Sequence, residues 1–450
     1  MHLPSFLRSC CLLFAAVALF ANQALAQDVP NIIRDAETEN LLRTFETPVW
    51  RVAGLDPNAM HIYIVADPQI NSFVAGGQNI FMNTGTIMRA DRPNMLIGVM
   101  AHETGHIAGG HLARSEIEMK NATIKAIIAM AVGAAAAVVG KDPNGIGGAM
   151  AGGEGVGERS YLSFSVTQEG SADQAGLSFL EKSHQSAKGL LNFFEILEPE
   201  ELLSGAHQDP YLRTHPLTSQ RIEYVRAFVA KSPYSNVPDT PENIANFNAV
   251  KAKLDAFLSP PAATLAKYKA DDKSVPARYA RAIALYRIPQ LNDALELIDG
   301  LIKEQPDNPY FWELKGQMLF ENGRVAEAVA PYQRAVQLRP DIPLLRVELG
   351  QVLLETGDPA LVPKALTMLA DAVHFESDNP DAWHFLAIAY GRSNNIGMAA
   401  LALAEEGMAN GDYKTAGQQA DRARKILPAG ADRQRAQDIF DDAKRMRERS

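Results

Sequence analysis

His102-Glu103-Thr104-Gly105-His106 lies inside an apolar-periodic segment that starts near Asp91 and runs past His111. Read as a helix, the segment puts His102 and His106 four residues apart on one face, the spacing at which two imidazoles reach one zinc ion. Glu103 stands beside the first ligand, where its carboxylate can take a proton from a metal-bound water. Asp91 as a cap, Pro93 in the first turn, and Met95, Leu96, Val99 and Met100 at helical period carry the helical reading. The pattern also occurs by chance on surface helices with two unrelated histidines, so its weight depends on further ligands elsewhere in the chain.

Two later stretches offer them. In Gln168-Glu169-Gly170-Ser171-Ala172-Asp173-Gln174-Ala175-Gly176, a helix places Glu169 and Asp173 on one face. Glu169 can supply a third ligand and leave the fourth position open, while Asp173 can accept the free ring N–H of a liganding histidine. Two solvated carboxylates at a helix start are the plainer alternative. Farther on, Arg213-Thr214-His215-Pro216-Leu217-Thr218-Ser219-Gln220-Arg221-Ile222 carries His215, which near the metal can stabilise an oxyanion or close the fourth position. Arg221 can orient or neutralise charge there; otherwise it is a surface cation, and His215 a residue preceding a helix. His111 reads as structural, because a metzincin needs histidine ten residues after the first and Leu112 stands there. At about 100° per residue, His111 also falls on the opposite side of the helix from His102. His61, His184 and His207 read as structural too.

At 450 residues the chain suggests two or three domains, and its formal charge of -10 without a dense basic run excludes a nucleic-acid partner. Arg8, the apolar run Cys11 to Phe20 and Ala24-Leu25-Ala26 read as an export signal at 1-26, with Gln27 first in the mature chain. Cys10 and Cys11 stand before that run, so the mature chain has no thiol and must bind metal through His and carboxylates.

Within 27-230 the pattern predicts a helix from Ile32 to Phe45. Strands are expected at His61 to Val65, Phe73 to Ala75 and Asn79 to Met82, the last two flanking Gly76-Gly77. The small sheet offers an edge on which an extended peptide can pair. Ile124 to Val139 is too short and alanine-rich for a membrane span, and with the Gly-rich 141-157 it reads as a covering helix and loop.

Residues 231-276 read as a linker containing a helix, Pro241 to Leu258, after which 277-450 repeats at the tetratricopeptide period of about 34. Trp312, Gly316, Ala328, Tyr332, Ala335 and Pro340 make the clearest copy. Asn379-Pro380-Asp381-Ala382-Trp383 repeats the spacing of Asn308-Pro309-Tyr310-Phe311-Trp312, and a three-residue insertion precedes Ala365. Stacked helix pairs of this kind offer a groove for peptide or a partner protein.

Together with the stretch Asn71-Ser72-Phe73 to Gly85, the metal motifs resemble the HtpX-like zinc peptidase family, which also contains the CAAX prenyl proteases, over roughly residues 30 to 230. The resemblance implies an α+β zincin-type metallopeptidase domain, mainly helical with a small sheet, followed by an all-α tetratricopeptide solenoid. It implies one Zn2+ per chain on His102, His106 and Glu169, with Glu103 as general base and Asp173 supporting a ligand. Many relatives carry an arginine shortly before the glutamate ligand, and Phe164-Ser165-Val166-Thr167 has none. With an export signal and repeats, the chain is similar to the periplasmic repeat-bearing proteases of that family in Gram-negative bacteria. That implies an endopeptidase with chaperone activity in outer-membrane protein assembly and quality control. Its substrates would be unfolded or stalled outer-membrane and envelope proteins; the repeats would meet the assembly machinery, in peripheral association with the outer membrane. It also implies that His215 occupies the fourth zinc position and keeps the enzyme latent. The rival is a non-proteolytic scaffold or chaperone of an envelope complex, with a closed or residual metal site.

Overall fold

The computed structural model describes residues 32–111, 165–201, 211–212 and 215–449. The export signal, His207 and the apolar and Gly-rich tracts between 124 and 157 lie outside the described residues. Among the described residues no helix is long and apolar enough to cross a membrane.

Ile32–Ile33 form β1, and Asp35 then caps α1, Ala36–Ala53, its carboxylate accepting from Thr38 N at 2.7 Å. The helix expected from Ile32 to Phe45 thus starts later and runs farther. The Ile32–Ile33 backbone is engaged by a neighbouring strand, and buried Val49 and Trp50 hold the turn after Pro48 against the core. β2 is His61–Val65, β3 Ser72–Ala75 and β4 Asn79–Asn83, in the order β1-β2-β4-β3. β3 and β4 form the hairpin expected around Gly76-Gly77, both glycines at positive φ, whereas β2 and β4 pair in parallel. Ile62, Ile64, Ile80 and Met82 point into the core, while Phe73, Tyr63 and Phe81 stack on the other face.

After α2, Thr84–Arg89, comes α3, Pro93–Ala108, with every residue from Pro93 to His106 buried. Asp91 does not cap it. Arg92 holds the cap position without a side-chain bond and Asp91 pairs with Arg92 at the surface, because Pro93 removes one of the N–H groups a cap would satisfy. Two helices pack on α3: α4, residues 165–182, and α5, Lys188–Glu201. α6, Ser219–Lys231, completes this core.

The segment read as a linker carries α7, Pro241–Leu258, whose Phe247, Val250 and Leu254 belong to the first core. Its Ala249, Ala252 and Ala256 pack with Tyr279 and Phe311 of the repeats. One helix therefore serves two cores, and α8, Pro261–Lys267, follows it. Five helix pairs come next: α9 and α10 (Val275–Tyr286, Leu291–Glu304), α11 and α12 (Pro309–Glu321, Val325–Leu338), α13 and α14 (Pro343–Glu355, Val362–Phe375). The last two are α15 and α16 (Pro380–Arg392, Ile396–Ala409) and α17 and α18 (Tyr413–Ile426, Ala431–Arg449). The inserted residues before Ala365 are a 3-10 turn, Pro359–Leu361.

Buried charge also joins the two regions. Lys253 Nζ lies 2.5 Å from Asp35, 3.4 Å from Glu37 and 3.9 Å from Glu313, and Tyr279 donates to Glu37 at 2.8 Å. Burial pushes the Glu313 carboxyl up to about 8; Lys253 opposes the shift and the neighbouring carboxylates Asp35, Glu37 and Glu39 add to it. A carboxyl raised in the folded state contributes stability below its unfolded value near ~4.3 and loses it as pH rises through the folded one. The thermal midpoint of Glu313→Gln should therefore match wild type near pH 4.5 and exceed it increasingly toward about pH 8.5. A midpoint difference that stays flat over that range would contradict the assignment.

Candidate active site

α3 and α4 come into backbone contact because both present small residues. A Cβ on Gly105 would stand 2.5 Å from Ala172 O, and one on Gly176 would stand 2.9 Å from Ala101 O. At that separation the His102/His106 face meets the Glu169/Asp173 face. His102 Nε2 and His106 Nε2 lie 3.1 Å apart, and each is 3.3 Å from a Glu169 carboxylate oxygen. A tetrahedral metal with bonds of about 2.0–2.1 Å has ligand-to-ligand edges of roughly 3.3–3.4 Å. The three donors therefore fit one ion, and with His215 they form a wholly buried set of four whose ligand atoms all lie within 4.8 Å of one another.

The surroundings orient these donors. Asp173 Oδ1 sits 2.8 Å from His102 Nδ1, which makes that nitrogen the N–H donor and leaves Nε2 for a metal. Arg221 donates to both Asp173 oxygens at 2.6 and 2.9 Å, lies 3.1 Å from Glu169 Oε2, and donates to Pro216 O at 2.8 Å. It is buried, with its guanidinium 5.0 Å over the Phe194 ring. The cation missing ahead of Glu169 in sequence thus arrives from α6, where it acts as a positioning residue. Burial alone would raise the Asp173 and Glu169 carboxyls, yet Arg221 on Asp173 and the imidazoles around Glu169 hold both below the usual range.

Glu103 is wholly buried, and among the described residues neither of its oxygens has a hydrogen-bond partner. Burial pushes its carboxyl up to about 8, so its proton affinity is poised for transfer near neutral pH. His215 Nε2 lies 3.7 Å from Glu103 Oε1, and its ring is 5.5 and 5.3 Å from those of His102 and His106. Burial drives its imidazole down to about 3, keeping it neutral and able to act as a ligand. Tyr211 stacks on it at 4.6 Å, and Tyr211 N donates to Ile70 O just before β3.

His111 corrects the sequence reading. α3 ends at Ala108, and Gly110 at φ +62° turns the chain back, so the helical angle that put His111 on the far side no longer applies. Its Nδ1 is 3.0 Å from His106 Nδ1, and its carbonyl accepts from Gln168 Nε2 at 3.1 Å, tying the end of α3 to the residue before Glu169. His184 stacks on Tyr234 and His61 sits partly exposed on β2, both away from this cluster. Gly109-Gly110 was the available signal for His111; Tyr211 and Gln168 gave none, since each is defined by a contact across the fold.

Residues 35–229 match Peptidase family M48. The chain carries an M48 metallopeptidase domain. Residues 298–405 match the Cytochrome c-type biogenesis protein H TPR domain, within the helix pairs that follow the M48 domain. The chain is similar to the Beta-barrel assembly-enhancing protease of Yersinia pestis, 24% identical over 73% of this chain and 67% of that protein. The protein of that name in Escherichia coli (strain K12) is 24% identical over 77% of this chain and 70% of its own. A Putative beta-barrel assembly-enhancing protease of Vibrio cholerae is 25% identical over 74% and 68%. Among solved structures, a TPR protein with an unusual peptide-binding site, YrrB, is 19% identical over 44% of this chain and 98% of its own, with a TM-score of 0.32.

Metal content tests the M48 site directly. The purified wild-type chain should hold about one zinc per chain and Glu169→Ala clearly less; a folded wild type that takes up none would refute the ligand set. His111→Ala should weaken zinc binding by about 10- to 100-fold in chelator competition, since it removes the group facing His106 Nδ1.

Proposed function

We propose that the chain is a zinc endopeptidase of the Gram-negative periplasm, exported by residues 1–26, that acts in outer-membrane protein assembly and quality control by cutting unfolded or stalled envelope proteins. The observation that carries the reading is the buried set of His102, His106 and Glu169 with Glu103 unpartnered beside it. The names of the similar proteins support the cellular role, and the repeats support a protein partner such as the assembly machinery. On this reading the repeats also give the chain chaperone activity, and it works in peripheral association with the outer membrane.

His102, His106 and Glu169 would hold the zinc, which supplies Lewis-acid polarisation of a carbonyl and acidifies water. Glu103 takes the proton from the attacking water at one of its free oxygens and returns it to the leaving amine. Asp173 fixes the His102 tautomer, and Arg221 holds Asp173, Glu169 and the carbonyl before Leu217 in one arrangement. An extended substrate has the edge of β3 for main-chain pairing.

His215 fills the remaining side of the metal set, and Tyr211 pairs with the backbone just ahead of β3. We read this as a latent state, in which His215 occupies the fourth ligand position and Tyr211 part of the peptide approach. Glu103→Gln should lower cleavage of an unfolded β-barrel protein by about 10²-fold or more with zinc retained. His215→Ala should raise cleavage; an unchanged rate at equal zinc content would remove the latch. Cleavage that survives Glu103→Gln would remove the catalytic assignment itself.

A further inference from the structure

Among the described residues no donor fixes the head group of Glu103, since neither of its buried oxygens has a hydrogen-bond partner. A second buried oxygen in the same condition is Oγ of Ser72, a wholly buried residue of β3. A buried polar atom without a partner costs stability, so each one that persists calls for an explanation.

Strand geometry aims the Ser72 hydroxyl at the active site. β3 is the edge strand of the sheet and packs against α3. Ser72 stands opposite Met82 of β4, which points into the core, so the Ser72 side chain lies on the same inner face. Along the backbone, Asn71 O accepts from Asn83 N of β4, whereas Ile70 O accepts from Tyr211 N on the other side. Backbone groups alternate in direction along a strand, so the N–H and C=O of Ser72 point away from β4, toward the edge. Ser72 therefore has its backbone on the edge offered to substrate and its hydroxyl on the side of the general base. Burial acts most on the Glu103 carboxyl, followed by the charges of His102, Glu169 and Arg221, and the Ser72 hydroxyl also bears on it, favouring the ionised form.

We propose that Ser72 is a positioning residue for Glu103, its hydroxyl donating to one carboxylate oxygen during catalysis so that the other is turned to the attacking water. The inference rests on the peptidase reading above. A carboxylate held only by its stem rotates broadly about its last bond, and most of those orientations are unproductive for proton transfer. One donor removes that freedom. A hydroxyl suits the task because it turns to donate or to accept as its neighbour loses or gains a proton. Such contacts are often open in a resting enzyme and tighten when substrate binds; pairing of a peptide with the Ser72 backbone is the event that closes this one.

Steady-state cleavage of an unfolded β-barrel protein, with zinc content and thermal midpoint measured on the same samples, provides the test. Ser72→Ala should lower kcat about tenfold with KM and zinc content unchanged. Its thermal midpoint should equal or exceed that of wild type, because an unpaired buried hydroxyl has been removed. Ser72→Thr keeps the hydroxyl and should restore most of kcat; if its extra methyl prevents folding, Ser72→Gly should match Ser72→Ala in kcat. A serine with a structural role alone gives the reverse, a lower midpoint with kcat retained. That result, wild-type kcat in Ser72→Ala, or a loss of rate that follows a loss of zinc, would overturn the proposal and leave the peptidase reading standing. A wild type that cleaves no faster than Glu103→Gln would overturn the peptidase reading and this inference with it.

Discussion

Backbone contact between α3 and α4 is the constraint on which the active site depends. Where Gly105 faces Ala172 and Ala101 faces Gly176, no Cβ separates the two helices, and they approach more closely than ordinary side-chain packing allows. Donors from distant parts of the chain then stand at the edge lengths of a single tetrahedron. With a larger residue at Gly105 the helices would have to part, and Glu169 would leave the reach of both histidines. The small residues at these positions are thus as much part of the metal site as the ligands are.

That closeness brings several ionisable groups into one dry space, which is costly unless each is matched. Arg221 meets most of the cost by bonding Asp173, approaching Glu169 and holding the carbonyl of Pro216 in the segment that carries His215. The group left unmatched is Glu103, whose two oxygens have no hydrogen-bond partner among the described residues. The junction with the repeats follows the same logic on another scale. Lys253 answers Asp35 and Glu37 and stands 3.9 Å from Glu313, whose carboxyl burial raises to about 8. α7 makes the junction firm, since its opposite faces belong to two different cores.

Local and periodic features were legible beforehand. The histidine helix, the hairpin at Gly76-Gly77, the bounds of Pro241–Leu258 and the repeat pairs all follow from spacing and turn chemistry, which act over a few residues. The extra residues before Ala365 were visible as a break in period and became the turn Pro359–Leu361. The helix read from Ile32 was misplaced because backbone pairing with β2, invisible locally, took those residues. His111 was misjudged because a helical angle was extended past the point where glycine ended the helix.

By itself the sequence determined which residues have metal-binding chemistry, that His102 with His106 and Glu169 with Asp173 share helical faces, and that the second half repeats. Those follow from side-chain identity and helical period, which need no partner. Only the tertiary structure decided that the two faces meet, that Arg221 supplies the buried cation, and that His215 and His111 close around the ligands. It also decided that Lys253 of α7 meets Asp35 and Glu37 at the start of α1. Each of these is a distance between residues far apart in the chain, set by how closely helices can pack, and no local pattern encodes such a distance.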